Sequence, residues 1–130
     1  MIRRKFMLAA ALALLASTQV GHAATQSTFD QAAFDAARAA NKPIVIAVHA
    51  DWCPVCVKQA PIINSLAGSP QFKDLVVLVV DFDKQKDVVK ALRVERQSTL
   101  IALRGATEKD RAVGITAEDA IKALFQKTAG

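Results

Sequence analysis

Cysteine is almost missing from this 130-residue chain: there are two, Cys53 and Cys56, both within the stretch ADWCPVCVKQAPII. Histidine is as scarce, present only as His22 and His49. A structural zinc site normally takes four ligands, so this supply is poor material for one, although a Cys–Cys–His site for copper or zinc that includes His49 stays open. Clustered positive charge interleaved with aromatics is also lacking. Lys84, Lys86 and Lys90 are interspersed with Asp83 and Asp87, as on a solvated face, which argues against a nucleic-acid partner. The chain holds no Ser/His/Asp set, no glycine-rich phosphate loop and no cofactor motif, so other enzyme classes find no support. Repeats, low-complexity tracts and internal linkers are absent too, and the length suits one domain.

What is present begins with a leader. MIRRKF carries Arg3, Arg4 and Lys5, a short apolar run follows from Met7 to Ala16, and the small-residue site Gly21-His22-Ala23 precedes ATQS. That order predicts a signal peptide over residues 1–23, cleaved after Ala23, with the folded domain over 24–130. The apolar run is short for a bilayer span, and with no cysteine near the cleavage site lipidation is not expected. Three leader cations account for most of the formal charge of +5, leaving +2 on the mature chain. The basic balance therefore speaks of export. Outside the cytoplasm a cysteine pair can be oxidised and stay so, and in a Gram-negative host the mature protein would be periplasmic.

Hydrophobic periodicity lays out the domain. Thr28 and Gln31 have capping-box spacing ahead of FDQAAFDAARAA, a helix with Phe29, Ala33, Ala36 and Ala40 towards one face, ended by Asn41-Lys42-Pro43. PIVIAVHA and LVVLVVDFD (Leu75 to Asp83) read as strands buried on both faces. Between them a helix runs from Cys53 to about Leu66, kinked at Pro61, with a turn at Ala67 to Pro70. DVVKALRV is a short helix. TLIALR (Thr99 to Arg104) and RAVG (Arg111 to Gly114) flank the polar turn GATEKD as a hairpin. Thr116 and Asp119 are placed to cap a last helix, with Ile121, Leu124 and Phe125 inward. Alternating helices and strands imply an α/β fold: a central mixed sheet, parallel strands plus a C-terminal antiparallel hairpin, flanked by helices.

The dithiol sits where a central strand turns into a helix, at the carboxyl end of the sheet, where α/β active sites gather. Cys53 at the helix N-terminus meets unpaired N–H groups and the helix dipole, which favour its thiolate and make it the expected nucleophile. Pro54 suits the first helical position. Cys56, three residues on, lies within disulfide reach as the resolving thiol. Cys53 would attack a substrate disulfide and Cys56 would then displace the substrate from Cys53, or the same steps would run in reverse. Trp52 either lends an apolar surface to a substrate chain or packs into the core. A purely structural disulfide closing so short a loop would contribute about 2 kcal/mol, against about 4.7 for a hundred-residue loop.

A C-x-x-C that follows a buried strand and opens a proline-kinked helix resembles the thioredoxin superfamily, and NKPIVIAVHADWCPVC is similar to its exported members, including the thioredoxin-like domain of the Dsb-type membrane reductase. The likeness covers the mature chain through Trp52 to Cys56, Pro61, the strand ending near Asp81 to Asp83, and the closing hairpin and helix around Gly114. It implies a thioredoxin-like fold and a thiol–disulfide oxidoreductase acting through Cys53 and Cys56, with Trp52, Pro54, Val55, Ser98 and Thr99 contacting substrate. It also implies no bound cofactor or metal, exported protein thiols and disulfides as substrates, a membrane redox partner and a monomeric state. Two positions depart from the family. Ser98 stands where thioredoxins place a cis-proline, and because a non-proline cis bond costs about 2.5–4 kcal/mol a trans bond and a reshaped loop are expected. Ala47 stands where they bury an acid that takes the proton of the resolving thiol; His49 and Asp51 are its nearest substitutes in sequence. Both the oxidising and the reducing direction fit Pro54-Val55, but the lack of a large inserted helical domain points to the reducing side. The alternative is a copper- or zinc-binding protein of the same fold, using the cysteine pair as ligands.

Overall fold

The computed structural model describes residues 24–130, and the expected leader lies outside them. In chain order the elements are β1 (Thr25–Thr28), α1 (Gln31–Ala39), β2 (Pro43–His49), α2 (Pro54–Ala67), a single 3-10 turn at Pro70–Phe72, β3 (Val76–Asp81), α3 (Lys86–Ala91), β4 (Thr99–Arg104), β5 (Thr107–Val113) and α4 (Glu118–Gln126). The five strands form one sheet in the order β1-β3-β2-β4-β5. β3 runs parallel to both β1 and β2, and β4 runs antiparallel to β2 and β5. The expected mixed α/β sheet flanked by helices is what forms.

The two apolar central strands bury both faces, and this divides the core in two. Val45, Ala47, Val77, Leu100 and Ala102 face α2 and α4, meeting Ile63, Leu66, Ile121, Leu124 and Phe125. Ile44, Ile46, Val48, Leu78, Val80 and Ile101 face the other side, under Phe29 and the Phe34 and Ala37 pair of α1. Strict alternation along each strand makes both layers possible at once.

Several local expectations give way. Thr28 ends β1 instead of capping a helix; Asp30 is the cap of α1, its carboxylate accepting the Ala33 N–H at 2.9 Å. The buried face of α1 is Phe34 and Ala37, while Ala33, Ala36 and Ala40 are exposed; Phe29 lies before the helix and so does not mark its buried face. α4 has Ala117 at its N-cap, with no side-chain cap from Thr116 or Asp119, while Ile121, Leu124 and Phe125 are buried as expected. The β4–β5 turn is only Gly105-Ala106, so β5 begins at Thr107 and takes in most of the polar segment expected to be loop.

Candidate functional site

β2 ends at His49, and a tight turn through Ala50, Asp51 and Trp52 delivers the chain to α2. Cys53 is the N-cap of that helix: its backbone is extended, its carbonyl accepts the Val57 N–H at 3.1 Å, and its sulfur accepts the Cys56 N–H at 3.3 Å. A thiolate here takes the role a serine or aspartate oxygen plays at other helix starts. Pro54 opens the helix, where a missing N–H leaves nothing unsatisfied. Both cysteines are free thiols in this state, and both are buried, Cys53 at 3% exposure and Cys56 at 1%.

The environment separates them. Burial pushes the Cys53 thiol up, but hydrogen bonds from the Cys56 thiol, from the Cys56 and Val55 backbone and from the Gln97 side chain outweigh it, and the Cys53 pKa lies below the ordinary thiol value. Cys56 is pushed up to about 11, first by burial, then by donating its own hydrogen bond to Cys53 and by the Cys53 charge. Its sulfur also lies 3.8 Å from the Val48 carbonyl. One thiol is thus prepared to be an anion and the other to hold a proton.

Trp52 is 60% exposed, which removes the core-packing reading, and its indole N–H donates to the Asp83 carboxylate at 2.6 Å. Asp81 closes β3, two residues short of the strand end expected at Asp83, its carboxylate accepting the Asp83 and Lys84 N–H groups of the turn that follows. Pro54 is exposed and Val55 half-buried beside the thiols, and Val57, also exposed, extends the apolar surface along α2. Ser98 has a left-handed backbone (φ 61°), and no cis peptide bond occurs among the described residues. Unlike proline it keeps an N–H, which donates to the Val48 carbonyl at 2.8 Å. Thr99 is buried with its hydroxyl bonded to the Arg96 carbonyl, so its side chain is used inside the loop. Ala47 is buried within the core layer. His49 is half-buried and pairs with Asp51 at 2.9 Å. Among the described residues no three His, Cys, Asp or Glu side chains converge as metal ligands would.

Sequence reasoning missed three contributors. The Gln97 side chain, one residue before Ser98, helps to hold the Cys53 pKa down. Asp83 anchors Trp52, and no sequence signal distinguishes it from its acidic neighbour Asp81. Gln59 is 2% exposed and donates to the Ser98 and Ile115 carbonyls, tying α2 to the loop before β4; a glutamine on the buried side of a helix, three residues after Cys56, was the available clue.

Comparison with known proteins places this arrangement. The chain is 33% identical over 91 residues to Thioredoxin H2-1 of Oryza sativa, covering 70% of this chain and 64% of that protein. It is 36% identical over 85 residues to Thioredoxin H4 of Arabidopsis thaliana, covering 65% and 71%. Among solved structures, Trxlp from Edwardsiella tarda superposes with a TM-score of 0.75 at 39% identity, over 77% of this chain and 98% of that one. The sequence signature of the Thioredoxin family matches residues 22–127, and the chain therefore belongs to the thioredoxin family.

Proposed function

We propose that this protein is an exported thiol–disulfide oxidoreductase, with Cys53 as the attacking sulfur and Cys56 as the resolving thiol. The observation that carries this reading is the opposed chemistry of the two thiols: Cys53 at the helix N-cap with its pKa lowered, Cys56 behind it raised to about 11. The Cys53 thiolate attacks one sulfur of a substrate disulfide, forming a mixed disulfide and releasing the other sulfur as a thiolate. Cys56 then loses its proton and attacks Cys53; the bond to the substrate breaks, its electron pair leaves with the substrate sulfur, and two electrons have passed from the protein to the substrate. A partner chain would lie against Trp52, Pro54, Val55 and the loop at Ser98, where exposed apolar surface borders the sulfurs.

The substrates in this reading are disulfides of other exported proteins, met in the periplasm by a monomer after removal of residues 1–23, and a membrane redox protein restores the dithiol. The reducing direction is favoured because residues 24–130 form one five-stranded domain without an inserted helical one.

An equilibrium redox titration of the mature, metal-free protein, with thiols alkylated and counted by mass, tests the reading. A two-electron transition near about −270 mV is expected, and one near about −120 mV would make the protein a donor of disulfides. Absence of any reversible transition, together with stoichiometric copper or zinc lost in both Cys53→Ala and Cys56→Ala, would replace the reading with metal binding.

A further inference from the structure

The resolving step has an unassigned requirement. Cys56 must give up a proton held in a buried site, and Ala47, which lines the same cavity, has no group to accept it. The space behind Cys56 is a cavity of about 160 Å³ between α2 and the β1-β3-β2 edge of the sheet. Its polar lining is Gln26, His49, Cys56, Gln59 and Asn64, and the remainder is apolar. A polar cavity of that size admits a few water molecules. Of the side chains lining it, only His49 carries a ring nitrogen with a lone pair that can accept a proton.

We propose that His49 is the proton acceptor for Cys56, reached through water in this cavity; the proposal rests on the oxidoreductase reading above. Residues 45, 47 and 49 share the sheet face that α2 covers, so His49 continues the row of Val45 and Ala47 on the cavity side. The Asp51 carboxylate, 2.9 Å from Nε2, accepts hydrogen bonds and donates none. It therefore holds the tautomer protonated at Nε2 and leaves the Nδ1 lone pair as the base. The other acid near His49 is Asp81, its register partner on β3, whose Oδ1 accepts the Asp83 and Lys84 N–H groups. α2 and β1 present to the cavity only Cys56, amides and apolar groups. In the step itself, water carries the Cys56 proton to Nδ1, and the Cys56 thiolate attacks the Cys53 sulfur. The departing substrate thiolate then takes a proton from solvent, and the imidazolium returns its own to solvent.

Stopped-flow reaction of the reduced full domain with 5,5′-dithiobis(2-nitrobenzoate) tests this, because the two steps release one coloured thiolate each. Attack by Cys53 releases the first; attack by Cys56 on the mixed disulfide releases the second. His49→Gln is expected to leave the first release within twofold of the parent and slow the second about a hundredfold at pH 7, the lower end of general-base effects. The deficit should shrink as the pH approaches 10, where hydroxide takes the proton instead. In His49→Ala, added imidazole should restore the second phase. A second phase unchanged in His49→Gln, or slowed equally at pH 7 and pH 10 and insensitive to imidazole in His49→Ala, overturns the assignment while the oxidoreductase reading stands. If the parent itself shows no first release, that reading fails and the proposal with it.

Discussion

Ser98 holds a backbone conformation that its own side chain resists. A left-handed φ costs an L-residue roughly 1–2 kcal/mol, and three hydrogen bonds keep this one in place: Ser98 N–H to the Val48 carbonyl, and Gly114 N–H and the Gln59 amide to the Ser98 carbonyl. Ser98→Gly removes the strain at the cost of a freer unfolded chain, so urea unfolding should place it within about 1 kcal/mol of the parent. Ser98→Pro forces φ near −65° and deletes the N–H that Val48 accepts, and should lose about 2–4 kcal/mol although proline is the family residue here. A Ser98→Pro protein as stable as the parent would mean that this loop can return to the family conformation at no cost. The thiols supply a second residue-level prediction. Cys56 titrates near 11 folded and near 9.0 as a free thiol, so between those values the native state holds a proton that the unfolded state has lost. Its contribution to stability is full below pH 9 and is lost as the pH rises through 11. Reduced parent protein should therefore lose stability more steeply than Cys56→Ala when urea midpoints are followed from pH 8 to 11. Cys53, shifted the other way, adds stability as the pH rises from its folded value towards 9.

At the scale of elements, the β4–β5 turn locks the hairpin to α1. Gly105 has φ 57°, its N–H donates to the Lys42 carbonyl, and a Cβ there would fall 2.6 Å from the Asn41 side-chain oxygen, 3.2 Å from the Asn41 Cα and 3.3 Å from the Arg38 carbonyl. The side-chain oxygen can swing aside, but the backbone atoms and the positive φ remain. Gly105→Ala should cost about 1–3 kcal/mol in urea unfolding, while the alkylation rate of the distant Cys53 stays unchanged. Elements with a strong period were legible without a structure: β2 and β3 from their apolar runs, α2 from its Cys-Pro start, α4 from Ile121, Leu124 and Phe125. β1 was not, because TQST is exposed at all four positions and its pairing comes only from the β3 edge. The same edge shifted the start of α1, since Thr28 could not both pair with Val79 and cap a helix. Within the site, Cys53 and Cys56 announce themselves through spacing. Gln97, Asp83 and the cavity joining His49 to Cys56 depend on loops brought together from distant parts of the chain, which no local pattern records.

For the whole molecule, the decisive asymmetry is between the two edges of the sheet. β5 closes one edge with TEKDRAV, charged and half-exposed, and a register irregularity falls opposite it between Ala102 and Leu103 in β4; both features discourage pairing with another chain. At the other side β3, Val76–Asp81, is a run of β-branched and apolar residues that would make an aggregation-prone edge, and only the four residues of β1 cover it. β1 begins at Thr25, and the Ala24 N–H donates to the Ala67 carbonyl, so the expected cleavage after Ala23 would spare every one of these contacts. A chain starting at Ala24 should therefore unfold with full stability. A chain starting at Phe29 keeps the Phe29 ring and all of α1 but loses the β1–β3 pairing, a net cost of about 1–3 kcal/mol once the entropy of ordering the strand is offset. It should also associate more strongly with rising concentration than the longer chain does, since the bare β3 edge offers its unpaired N–H and C=O groups to another copy. Urea unfolding alongside sedimentation of the two chains separates the effects. Equal stability and equal monodispersity would show that β1 is not what protects the sheet.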